Sequence, residues 1–405
     1  MVTTPNSLTL SPNIKIATKR IESIDLLRGV VMIIMALDHV RDYFHYDAFI
    51  YSPTDLSQTT VPLFFTRFIT HYCAPVFVLL AGMSAYLSGT KKSRKELSFF
   101  LWTRGIWLVF AELFLVSLFR TFNPTFMYLN LQVIWTLGMS MIALSAIIYM
   151  NRKLILLTAV VLIAGHNLLD TVHVQGSGFL AVAWSFLHDI NHFTFGKLNL
   201  YVRYPVLPWL GIMTLGYYLG FLYTPGYDQE KRRIALLRLG IGMIVIFVLF
   251  RITNFYGDAA HWSVQKNSVF SVLSFFNVSK YPPSLLYTLV TLGPALIFLA
   301  VTEKPLNKWA MKVVSIGRVP MFYYLAHILL IHILAITAAL CTGYPEMIVL
   351  NKHVNETVEL KGYGFDLGSV YLIWIIHILL LYPFCKWFDQ YKRANQSRYR
   401  WLSYL

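Results

Sequence analysis

Apolar runs of about twenty residues recur along this chain of 405 residues, and no other feature limits its fold so tightly. They fall near 24–44, 63–88, 97–119, 128–149, 154–169, 205–223, 234–254, 285–302, 313–340 and 367–388. Each approaches the length of helix that crosses a hydrocarbon core. In lipid, every backbone N–H and C=O must be satisfied within its own segment, which makes such runs helical. The expected fold is all-α: a multi-pass transmembrane bundle of about ten spanning helices. Charged residues agree, at 13% of the chain against about 25% in soluble proteins.

The formal charge of +15 first raises the question of nucleic acid. The cations instead cluster between apolar runs, as KKSRK at 91–95, NRK at 151–153, KRR at 231–233 and KRANQSRYR at 392–400. Excess Lys and Arg marks cytoplasmic loops, and no aromatic-interleaved basic groove accompanies them, so no nucleic-acid partner is expected. An even number of spans puts both termini on one side, and Lys15, Lys19 and Arg20 join the basic tail in making that side cytoplasmic. The chain then divides into a cytoplasmic N-terminal tail (1–22), a transmembrane domain (23–388) and a basic cytoplasmic C-terminal tail (389–405). The first twenty residues are polar, with no pattern of a cleaved signal peptide. The longer loops, 45–62, 170–204, 255–284 and 341–366, fall on the opposite face, and three of them are rich in His, Asn, Tyr and Trp. Such loops suit a pocket for a polar acceptor, or equally an interfacial aromatic belt. Cys73, Cys341 and Cys385 have no motif spacing, so neither a disulfide nor a thiolate metal site is expected.

The first run, SIDLLRGVVMIIMALDHVRDYF, is nearly long enough to span but carries Asp25, Arg28, Asp38, His39, Arg41 and Asp42. Each charge at mid-bilayer costs about 2.5–3.5 kcal/mol on insertion scales, which marks such residues as functional candidates. Eleven residues separate Arg28 from His39, close to three helical turns, so the two share a face about 16 Å apart along the axis. Met32, Met35 and Ala36 lie between them. A cation at the mouth, an apolar lane and a histidine at the far end suit a long thin ligand with an anionic head. Asp42, one turn on, is the nearest same-helix partner for His39. Arg41 and Asp42 also fit a simple surface ion pair near the helix end.

In the second run, Arg67 and His71 stack at i and i+4, and Pro75 should kink the helix and free the His71 carbonyl. His166, His332 and His377 fit hydrogen-bonded packing roles. His327 lies nine residues beyond Arg318, again an arginine followed by a deeper histidine. His188 and His192 have metal-compatible spacing, but no Glu or further His stands beside them, and no metal is expected.

IDLLRGVVMIIMALDHVRDYF, FFTRFITHYCAPVFVLLAGMSAYL, RYPVLPWLGIMTLGYYLGFLY, YPPSLLYTLVTLGPAL and IGRVPMFYYLAHILLIHILA follow one another from about residue 22 to 388. With these motifs the chain resembles the bacterial branch of the heparan-alpha-glucosaminide N-acetyltransferase-like family. The resemblance implies a membrane-embedded acyltransferase that takes an acetyl group from cytoplasmic acetyl-CoA to a glycan-type acceptor across the lipid bilayer. Membrane acyltransferases of surface polysaccharides also open with an arginine and, eleven residues on, a histidine, which Arg28 and His39 match. His39 is the expected base, oriented by Asp42 or Asp38, with His45 and His71 as alternatives. Arg28, Arg318, Arg67 and His327 are the expected donor-side residues, with Arg67 and His71 also suited to hold an oxyanion or the acceptor. The rival reading of the same Asp/His/Arg cluster is a proton-coupled small-solute transporter, which the lack of an internal repeat disfavours. A homo-oligomer is compatible with either.

Overall fold

In the computed structural model, which describes residues 21–396 and 398–404, a first helix is enclosed by protein on nearly every side. This is α1 (Glu22–Phe44), whose buried residues include Asp25, Asp38 and Arg41. Lys15, Lys19 and Arg20, and the N-terminal tail they belong to, lie outside the described residues except for its last two positions. The chain continues through α2 (Val61–Thr70), α3 (Cys73–Gly89), α4 (Arg94–Phe110), a π-helical turn (Ala111–Val116) and α5 (Ser117–Thr121). After strand β1 (Tyr128–Leu131) come α6 (Val133–Ile147), α7 (Arg152–Gly165), α8 (Phe179–Leu187), β2 (Asn191–Phe195) and β3 (Leu198–Val202). The remainder is α9 (Val206–Leu219), α10 (Gln229–Thr253), α11 (Ser268–Phe276), α12 (Leu285–Val301), α13 (Lys308–Gly317), α14 (Pro320–Thr342) and α15 (Leu367–Asn395).

The protein is mostly helical and fits a membrane protein, but the expected ten spans are not all of one kind. Seven helical stretches among the described residues are long and apolar enough to cross: Val61–Gly89, Arg94–Thr121, Arg152–Leu169, Val206–Tyr223, Gln229–Thr253, Pro320–Thr342 and Leu367–Asn395. The apolar helices Val133–Ile147 and Leu285–Val301 are shorter, and α1 is long but rich in charge.

Local sequence explains where helices break. The 128–149 run starts as a strand, paired parallel with β3, before α6 begins at Val133. The 313–340 run divides at Arg318–Val319, because Pro320 offers no N–H to α13 and holds Val319 out of the helical region. The 63–88 run breaks at His71–Tyr72, ahead of Pro75, and the freed His71 carbonyl accepts the Tyr287 hydroxyl at 2.7 Å. Side-chain caps start other helices: Ser93 with Glu96 at α4, Asn151 at α7, Asp228 at α10 and Asp366 at α15.

Around α1 stand α2, α3, α12, α13, α14 and α15. Its closest neighbour is α13, and two glycines permit that approach. A Cβ on Gly317 would stand 1.9 Å from the Asp25 carbonyl oxygen, and one on Gly29 would stand 2.2 Å from that of Val313. Small residues let helix backbones meet where lipid supplies no hydrophobic drive. The four longer loops gather at the C-terminal end of α1. His45 bridges to Phe365, Asn355 donates to the Asp42 carbonyl, and Asn277 donates to that of Thr54. The basic loops gather at the other end, where Arg94 reaches the Tyr149 carbonyl and Arg232 pairs with Glu303.

Replacing Gly317 by Ala should destabilise the protein by about 1–3 kcal/mol, the usual cost of overpacking. Gly242→Ala in α10, whose Cβ would meet nothing within 4 Å, is the control and should leave thermal unfolding in detergent unchanged. Equal melting curves for the two variants would refute the α1–α13 contact.

Candidate functional site

Two cavities flank the middle of α1. The first holds about 260 Å³ and is lined by Arg28, Met32 and Met35 of α1, by apolar residues of α3, α4 and α6, and by Tyr324 of α14. Arg28, Arg104, Arg318 and Lys392 are the cations in its wall. Arg28 donates to Asp25 at 2.8 Å, the Gly317 carbonyl at 3.1 Å and Ser84 at 3.1 Å. Arg318 stands 3.5 Å from the other oxygen of Asp25, so one buried carboxylate holds two of these cations side by side. The close approach of α1 to α13 is what makes that sharing possible.

The second cavity holds about 370 Å³ and is mostly polar. Its floor comes from Asp38, His39, Arg41 and Asp42 of α1 with Arg67 and Arg120, and each of the four long loops supplies part of its wall. These are Ile50–Pro53 from the first loop, Arg203 and Tyr204, Lys280 and Tyr281, and His353, Asn355 and Glu356. Among the described residues, none lines both cavities. The wall between them runs through Tyr324, whose hydroxyl faces the Arg120 guanidinium at 3.4 Å.

His39 lies in that floor, and its hydrogen bonds define how it carries its proton. Its Nδ1 is 2.7 Å from Nε2 of His327. The other nitrogen of His327, Nδ1, is 3.0 Å from the Tyr323 carbonyl, which can only accept. With both rings neutral, the His327 proton therefore sits on Nδ1, and its Nε2 accepts from Nδ1–H of His39. The lone pair of His39 is left on Nε2, which faces an Arg120 Nη2 at 3.4 Å. An unprotonated nitrogen beside a guanidinium can take a proton while the cation holds a developing oxyanion.

The expected carboxylate partners are elsewhere, which corrects the sequence reading. Asp42 pairs with Arg41 at 2.7 Å. Asp38 accepts both oxygens' bonds from Arg67 at 2.7 Å, one from Thr70 at 2.8 Å, and lies 2.7 Å from Arg41. Neighbours on a helix diverge by about 100°, so Asp38 leaves α1 toward α2 while His39 leaves toward α14. Arg67 therefore lines the second cavity and not the first with Arg28 and Arg318. His327 is a partner of the candidate base instead of a donor-side contact. His71 is buried against Phe68 and Tyr287 and lines neither cavity. His45 caps the short helix after α1 by accepting from the Asp47 amide at 3.2 Å, a structural role.

Sequence reasoning missed Arg120, Tyr324, Arg203, Lys280, Tyr281 and His353. Arg120 ends an apolar run, where a lone cation reads as a surface anchor, and the loop residues have no periodicity to place them. The loop cations act on Tyr281, whose ring lies under the Arg203 guanidinium at 4.9 Å and the Lys280 ammonium at 5.2 Å. Burial pushes its phenol up, but Lys280, Arg203 and Arg67 outweigh this and bring it down to about 7. Burial, with Arg203 and Arg120, brings the His353 imidazole down to about 3, so that ring is neutral at physiological pH. His188 is joined not by His192, which lies exposed on β2, but by His166 and Asp170.

The Tyr281 shift gives a pH dependence of defined sign. An acid whose pKa falls on folding stabilises the fold fully above its ordinary range near 10, and that contribution is lost as pH drops through about 7. Ultraviolet titration of the folded protein should show one phenol ionising near pH 7, and Tyr281→Phe should abolish that step. A wild-type curve with no phenolate formed below pH 9 would contradict it.

Residues 20–251 match the family model described as heparan-alpha-glucosaminide N-acetyltransferase, catalytic. The matched stretch includes Arg28, His39, Arg67, Arg120 and Arg203, and ends before Lys280, Arg318, His327 and His353. No curated protein matches the chain.

Proposed function

The chain belongs to the heparan-alpha-glucosaminide N-acetyltransferase family, and from that premise we propose that it carries an acetyl group from cytoplasmic acetyl-CoA to a hydroxyl or amine of a glycan-type acceptor across the membrane. The observation that carries this reading is the pair of cavities along α1, one apolar with a cationic wall and one polar and loop-lined with His39 in its floor. In this reading both termini and the basic loops face the cytoplasm of a cell membrane.

Acetyl-CoA enters the first cavity with its phosphates against Arg28, Arg318 and the neighbouring cations, and its pantetheine arm runs along Met32 and Met35. The thioester reaches the second cavity when the Tyr324 side chain swings aside. Nε2 of His39 takes the proton from the acceptor hydroxyl or amine, whose oxygen or nitrogen bonds to the acetyl carbonyl carbon. Arg120 stabilises the oxyanion of that intermediate. The carbon–sulfur bond then breaks, and the proton passes from His39 to the departing CoA thiolate. His327 fixes the tautomer and shares the charge of the protonated ring, the role a carboxylate fills in a hydrolase triad. Asp38 and Arg67 position the floor without touching the base.

With purified protein and labelled acetyl-CoA, His39→Ala and His39→Gln should each lower acetyl transfer by about 10²–10⁴-fold, the usual worth of a general base. Arg28→Ala should mainly raise the KM for acetyl-CoA. Full activity in both His39 variants would remove that residue from the chemistry. CoA should also raise the melting temperature, since a ligand of the native state stabilises it. Stabilisation by a small solute or ion, with none by CoA, would favour the proton-coupled carrier instead.

A further inference from the structure

Away from α1, the stretch after α7 and the end of α8 bring two buried imidazoles and a carboxylate together. His166 and His188 are each only 3% exposed. Nδ1 of His166 is 3.3 Å from Nε2 of His188, and that Nε2 is 3.5 Å from Oδ1 of Asp170. The three residues' donor atoms all lie within 4.8 Å of one another. Donors bound about 2.0–2.2 Å from one tetrahedral ion stand about 3.3–3.6 Å apart, so two of these separations are already edges of a coordination tetrahedron.

The chemistry of the donors fits as well as their spacing. Oδ1 of Asp170 is buried and accepts no hydrogen bond, while Oδ2 accepts from Asn167 at 2.8 Å, which fixes the carboxylate with its unused oxygen toward the two rings. Asn167 is itself held, since its Oδ1 accepts from the Leu285 amide at 2.9 Å. The Trp184 ring stacks on His188 with centroids 5.6 Å apart and sets its plane. Without an ion, Nε2–H of His188 donates to the His166 carbonyl at 2.9 Å, and ion binding displaces that proton. A cavity of about 230 Å³, lined among others by Asp170, His173, His188, Asp189 and Ser279, opens beside the cluster.

We propose that Nδ1 of His166, Nε2 of His188 and Oδ1 of Asp170 bind one divalent transition-metal ion of the zinc class, with a fourth position open to the adjacent cavity. Two nitrogens and one carboxylate oxygen favour zinc-like ions over calcium or magnesium, which prefer all-oxygen sites. The ion ties the segment after α7 to the end of α8. It also stands beside the 279–284 segment, whose Tyr281 lines both this cavity and the second cavity of the α1 site. The proposal does not depend on the acetyl-transfer reading.

The test is titration of tag-free, chelator-treated full-length protein in detergent with Co²⁺, followed by displacement with Zn²⁺. Wild type should take up one equivalent and develop the visible absorption of a low-symmetry, near-tetrahedral Co²⁺ site. Asp170→Asn and His188→Ala should each weaken binding at least tenfold, and His192→Ala should leave it unchanged. Should His188→Ala fail to fold, the near-isosteric Asp170→Asn decides alone. The proposal is overturned by a wild type that takes up no stoichiometric Co²⁺ or Zn²⁺, or by uptake that Asp170→Asn leaves unchanged.

Discussion

The structure depends on how the charges of α1 are neutralised. A helix with Asp25, Arg28, Asp38, Arg41 and Asp42 would be costly against lipid, so it stands among other helices that bring complementary groups to it. Asp25 lies between Arg28 and Arg318, and Asp38 is held by Arg67, Arg41 and Thr70. Breaking a buried pair by removing one partner typically costs about 3–5 kcal/mol, because the other charge is stranded. These pairs therefore fix which helices touch α1 and at what height, α13 and α14 at one end and α2 at the other.

That arrangement leaves His39, toward the C-terminal end of α1, without a carboxylate partner. Its partners are a second imidazole and a guanidinium, which together define a tautomer and a lone pair facing the polar cavity. Pairing with His327 does without a buried carboxylate, and in the proposed transfer Arg120 is the cation placed to hold the oxyanion. The wall at Tyr324 and Arg120 keeps the apolar cavity and the loop-lined cavity apart, so a reaction between ligands of both requires that wall to move.

The four longer loops are more than connections. Each contributes to the second cavity, and together they bring Arg203 and Lys280 beside Tyr281, where their field holds a phenol close to ionisation near neutral pH. Behind the same segment lies the His166, Asp170 and His188 cluster. Sequence separation hid it: His188 and His192 have the spacing of a helical pair, but α8 ends at Leu187 and the chain turns into a strand.

By itself, the sequence determined that the chain is helical and built for a membrane, because backbone hydrogen bonding in lipid leaves long apolar runs no other local solution. It also showed that Arg28, Met32, Met35 and His39 lie along one side of one helix, since helical periodicity is a property of neighbours in the chain. It anticipated the break before Pro75 for the same local reason. Partnerships between helices were decided only by the tertiary structure. That His39 meets His327 and not Asp42, that Arg67 serves Asp38, and that Arg120 and Lys280 reach the same cavity all depend on crossing geometry between segments tens to hundreds of residues apart, which no local periodicity encodes.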